Sequence, residues 1–63
     1  MKRKELMKQL SKIAHQQHTT LEMTEGSNHS KARIGSRTTT IPRHREINEH
    51  TAKAIIKFFK DNQ

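Results

Sequence analysis

The sequence predicts an α+β fold of order αβββα, with two helices packed on one face of a three-stranded antiparallel sheet. Three observations carry this. Apolar residues recur at helical spacing near both ends of the 63-residue chain, the stretch between them alternates in polarity, and a Gly35-Ser36 pair separates two five-residue runs of strand character. Residues 1–63 make a single domain, because a chain this short hides only roughly 60% of its unfolded surface and has no material for a second core.

From Lys2 to about Gln17, Leu6, Leu10, Ile13 and Ala14 fall on one stripe while Lys4, Lys8 and Lys12 follow a solvent flank, the pattern of an amphipathic helix. Thr19 to Thr24 alternates, with Leu21 and Met23 on one side and Thr20, Glu22 and Thr24 on the other, and is expected to be a strand. Glu25-Gly26-Ser27-Asn28 has turn chemistry. A Gly-first two-residue loop favours a type II′ hairpin, so Ser30–Ile34 and Arg37–Ile41 should pair around Gly35-Ser36.

That loop sets a register. Ile34 should oppose Arg37, Arg33 oppose Thr38, Ala32 oppose Thr39, Lys31 oppose Thr40 and Ser30 oppose Ile41. Ala32, Ile34, Thr39 and Ile41 then share one face, and Lys31, Arg33, Thr38 and Thr40 the other. Pro42 cannot donate to a ladder and ends the third strand. Asn48 is a good N-cap, Ile47 before it can staple onto Ala52, and Ala52, Ile55, Ile56 and Phe59 form the stripe of a second helix reaching about Lys60.

Thirteen Lys and Arg against six Asp and Glu leave a net charge of +7, which points to a polyanionic partner, with nucleic acid first and an acidic protein also open. Neither helix has the Trp, Phe and Leu content of a membrane-surface helix, and no run approaches the ~20 apolar residues that span a bilayer, so no membrane partner is expected. The opening MKRKELMKQL lacks the apolar core of a signal peptide, and a cytoplasmic address is the simplest expectation. With no cysteine there is neither disulfide nor thiolate metal site.

Of the five histidines, His15 and His18 fall where an imidazolium suits a helix C-terminus, His50 lies in the first turn of the second helix, and no third ligand converges with His15 and His18. No metal or other cofactor is expected. His29 stands apart. It follows the turn residues Gly26, Ser27 and Asn28, and period-two alternation carried back from the second strand puts it on the face of Lys31 and Arg33. Cations hold phosphates, and an imidazole both accepts and donates protons near neutrality, so this set suits general acid/base cleavage of a phosphodiester. The plainer alternative is that Asn28-His29 merely decorates a turn. Arg43-His44-Arg45 is a second basic cluster, read as a phosphate clamp, a dock for an acidic partner, or a solvated connection. Phe58 and Phe59 are the only aromatic rings and both lie on the second helix. Base stacking on the sheet therefore lacks its equipment, and RNA contacts should fall on backbone, shape and 2′-hydroxyls.

MKRKELMKQL at the start, GSNH at 26–29, TIPRH at 40–44 and EINEHTAKAII at 46–56 together resemble the HicA toxins of bacterial HicA–HicB toxin–antitoxin modules. The resemblance covers nearly the whole chain. It implies a fold like that of double-stranded-RNA-binding domains (dsRBD-like αβββα), mRNA cleavage, and silencing by a HicB-like antitoxin that covers the catalytic histidine. By position that histidine is His29, and Gly26 and Ser27 match its turn. The expected activity is that of a metal-independent endoribonuclease, an mRNA interferase, in which Lys31, Arg33 and Arg43 hold the RNA backbone. The competing reading is a non-catalytic RNA-binding module of the same fold. A DNA-binding repressor is disfavoured by the lack of a helix-turn-helix pattern, and the sequence leaves self-association open.

Overall fold

The computed structural model describes residues 1–26 and 29–61, which form α1 (Arg3–Gln16), β1 (Leu21–Glu25), β2 (Ser30–Ile34), β3 (Arg37–Ile41) and α2 (Glu49–Lys60). The strands make one antiparallel sheet in the order β1-β2-β3. The αβββα order and the α+β class expected from the sequence are those that the chain adopts.

α1 buries Leu6, Leu10, Ile13 and Ala14, the stripe expected from spacing. It ends in a Schellman motif. The His18 amide donates to the His15 carbonyl at 3.0 Å and the Thr19 amide to the Ala14 carbonyl at 2.9 Å, with His18 in the left-handed region at φ 60°. This closure explains why β1 begins at Leu21 and not at Thr19: the Thr19 amide is already committed to the helix end.

The β2–β3 register is the one that the Gly35-Ser36 loop demands, from Ile34 opposite Arg37 to Ser30 opposite Ile41. Gly35 has φ 63° and Ser36 has no positive φ, the combination of a type II′ turn. Ser30, Ala32 and Ile34 are buried while Lys31 and Arg33 are exposed, so the face assignment holds along β2. β1 extends one residue past Thr24 because Glu25 pairs with Ser30. Leu21 and Met23 share the helix-facing side with their direct partners Ile34 and Ala32, yet Met23 is 37% exposed on this edge strand.

The core joins the α1 stripe to Ala32, Ile34, Ile41, Ile47, Ala52, Ile55 and Phe59, with Phe59 wholly enclosed. The Asn48 side chain caps α2 by accepting from the His50 amide at 2.8 Å, and Ile47 and Ala52 are both buried, as a hydrophobic staple requires. Both ends of α2 are tied back to the first helix and the residues before it. At one end Gln17 Nε2 donates to the Phe59 carbonyl at 2.9 Å. At the other, residues 1–3 pair with 45–47: the Arg3 amide donates to the Arg45 carbonyl, the Ile47 amide to the Met1 carbonyl, and the Met1 ammonium to the Ile47 carbonyl. The same ammonium lies 2.7 Å from the Glu49 carboxylate. Among the described residues no helix is long and apolar enough to cross a membrane.

Candidate active site

His29 lies one residue before β2, exposed, where the β1–β2 pairing continues by one step: the Gly26 amide donates to the His29 carbonyl at 2.9 Å. Gly26 is required here for closeness. A Cβ on it would lie 2.9 Å from that same carbonyl oxygen, a backbone atom that cannot swing aside as a side chain can. Its φ is not positive, so the glycine serves a tight approach and not a left-handed turn. Ser27 and Asn28, the other two turn positions, lie outside the described residues.

Alternation carried past the strand end predicts a histidine flanked by Lys31 and Arg33. Past the strand end the structure adds a groove to that expectation. The β2–β3 ladder stops at Ser30–Ile41 because Pro42, the next residue opposite His29, has no amide hydrogen. Beyond that point His29 borders an open groove along the outer edge of β3. Thr39, Thr40 and Pro42 form one wall, and Thr51, Ala54, Ile55 and Phe58 of α2 the other. Neither Lys31 nor Arg33 lines it.

The three cations expected to hold RNA are differently engaged. Arg33 Nη2 reaches the Glu22 carboxylate at 2.7 Å, directly across the β1–β2 ladder. Arg43 donates to the Gly26 carbonyl and pairs with Glu25 at 3.0 Å, clasping the turn that carries His29. Lys31 is exposed, with no carboxylate paired to it among the described residues. Both arginine ion pairs are solvent-exposed, where such pairs are worth about 0–1 kcal/mol, so a polyanion can compete for either guanidinium.

A partly buried chain of hydrogen bonds lies behind the turn, and the sequence patterns do not reveal its partners. Arg3 Nη2 donates to Ser30 Oγ at 3.0 Å, Ser30 Oγ donates to Glu25 Oε1 at 2.8 Å, and Arg3 Nε donates to the Pro42 carbonyl at 3.0 Å. The start of α1 is thereby wired to the β1–β2 turn and to the end of β3. One signal for it exists: the hairpin register places a serine on the apolar face opposite Ile41, and a buried hydroxyl needs partners. Which partners it finds depends on residues far away in the chain.

Arg43 also lines a second depression, together with Lys2, Arg3, Lys4, Arg45 and Glu46, in which five cations surround one carboxylate. At the far end of the β3 groove, Arg37 lies over the Phe58 ring at 5.0 Å and donates to the Phe58 carbonyl at 3.1 Å. Phe58 is 36% exposed, so its ring remains open to a ligand from the groove. Among the described residues no three His, Asp or Glu side chains gather as a metal-ligand set. Comparison of the chain with protein-family models, with curated proteins and with solved structures finds no match.

Proposed function

We propose that this protein is a metal-independent endoribonuclease of the HicA toxin type, which cleaves mRNA in the cytoplasm with His29 as the proton carrier and is silenced by a HicB-like antitoxin. One observation carries the proposal: an exposed histidine sits just off a strand end, on a turn clasped by Arg43 and closed by Gly26, and it opens onto a groove in a chain of net charge +7. The resemblance of the GSNH and TIPRH segments supports the same assignment.

The chemistry follows from what an imidazole does near neutrality. His29 takes the proton from a ribose 2′-hydroxyl as that oxygen bonds to the adjacent phosphorus. The phosphorus–5′-oxygen bond breaks, and the His29 imidazolium gives its proton, directly or through a water, to the leaving 5′-oxygen. The products are a strand ending in a 2′,3′-cyclic phosphate and a strand beginning with a 5′-hydroxyl. DNA lacks the nucleophile and is spared.

The test is incubation of the purified protein with RNA and with DNA in the presence of a chelator, followed by end-group analysis. RNA alone should be cut, and His29→Ala, still folded, should lower the rate by about 10²–10⁴-fold. A metal requirement or full activity in the variant overturns the proposal. Intact strands with retained binding would assign the chain to non-catalytic RNA binding instead.

A further inference from the structure

We infer that a single RNA strand crosses His29 along a track made of two unlike subsites: the cationic cleft of Lys2, Lys4, Arg43 and Arg45 for phosphates, and the Phe58 end of the β3–α2 groove for a base. The track rests on the proposed function and deepens it, since it names what holds the substrate on either side of the histidine.

Residues lining the two depressions are linked through Gly26 and through the adjoining positions Pro42 and Arg43. Arg43 lines the cleft and hydrogen-bonds the Gly26 carbonyl, while Gly26 pairs with His29, and His29 and Pro42 line the groove. A strand leaving the cleft at Arg43 therefore enters the groove at Pro42, the adjoining residue, with His29 beside the crossing. Among the described residues two carboxylates compete there: Glu46 lines the cleft 3.8 Å from the Met1 ammonium, and Glu25 pairs with Arg43 at 3.0 Å in an exposed contact that a phosphate can displace. Lys2, Lys4 and Arg45 are all exposed.

The groove offers different chemistry. Its walls are threonines and aliphatic carbons, and its far end is an aromatic ring already carrying a guanidinium. Thr51 and Phe58 are seven residues apart on α2, about 10 Å along the axis. That leaves room for a nucleobase beyond the phosphate that His29 meets. Stacking on an aromatic side chain is sequence-tolerant, whereas the cleft contributes through charge alone. Single-stranded RNA is the occupant that uses both ends, since an acidic peptide has no need of the ring and a duplex does not unstack to reach it.

Binding of a 2′-O-methyl RNA hexanucleotide carrying 2-aminopurine tests this without requiring cleavage. Replacing Lys2, Lys4 and Arg45 together by alanine should weaken binding and flatten the logarithmic salt slope by about 0.7 for each phosphate no longer neutralised, with 2-aminopurine quenching at saturation intact. Phe58→Leu should weaken binding by about 5- to 100-fold and abolish the quenching with no change in salt slope. Phe58→Tyr, which keeps the ring, should behave as the parent. The track is overturned if the parent fails to bind, if either variant leaves its own readout unmoved, or if Phe58→Leu instead dissolves a dimer that covers the groove. Binding that follows this pattern without RNA cleavage would sink the proposed activity and leave the track standing.

Discussion

Two residues near chain turns show how a single backbone angle or a single missing carbon decides a local outcome. At Gly26 the decisive fact is the 2.9 Å approach of any Cβ to the His29 carbonyl oxygen. Gly26→Ala should cost about 1–3 kcal/mol, the usual range for forcing an extra carbon into a packed site. Since about 1 kcal/mol moves the midpoint of so small a domain by about 4–8 °C, thermal melting will resolve it. Under the proposed activity, RNA cleavage should fall further than the melting shift explains, because the atom displaced belongs to the histidine. At His18 the sign is opposite. A left-handed conformation costs an L-residue roughly 1–2 kcal/mol, and the added freedom of glycine in the unfolded chain takes back roughly 0.4–1 kcal/mol. His18→Gly should therefore stabilise the protein by about 0.5–1 kcal/mol, measured by urea unfolding at an unchanged slope.

At the level of elements, the second hairpin is the most legible part of the sequence. A two-residue Gly-first loop leaves one register, and that register fixes which side of β2 is buried down to Ser30. The second helix is legible at both boundaries for a similar reason, since Asn48 is a local signal and its side chain does meet the His50 amide. Asn48→Ala should lower stability by about 1 kcal/mol, read as a reduced melting temperature with α2 otherwise retained by circular dichroism. The first strand is harder to read. Alternation cannot show that Thr19 is held by the helix before it, and Glu25 looks like a turn residue until Ser30 is seen opposite. The groove beside His29 escapes the pattern for a related reason: period two assigns the faces of a strand and says nothing of the α2 residues that fold across the sheet edge.

For the molecule as a whole, the contacts that wire the site together join residues distant in sequence, and no local pattern announces them. Arg3 reaches Pro42 across 39 positions and Met1 reaches Ile47 across 46. Charge is legible as a total but not as a map. Nearness in sequence singles out Lys31 and Arg33, while folding gathers Lys2 and Lys4 to Arg43. The pairing at the amino terminus gives stability a pH signature. The hydrogen bond to Glu49 chiefly raises the Met1 ammonium above its ordinary value of 8.0, and the same contact lowers Glu49 below its ordinary 4.5. The contribution of the ammonium is whole below about pH 8 and fades as pH climbs through its raised value. That of Glu49 is whole above about pH 4.5 and fades as pH drops through its lowered value. Melting temperature should thus form a plateau between these limits, and Glu49→Gln should flatten most of the alkaline decline.

Acylating reagents used near neutrality normally single out a protein's α-amino group, because it surrenders its proton more readily than lysine does. Here that preference is blunted, since the Met1 nitrogen is occupied by a carboxylate and a carbonyl. Dyes and biotin esters will be diverted toward the lysines, Lys2 and Lys4 among them.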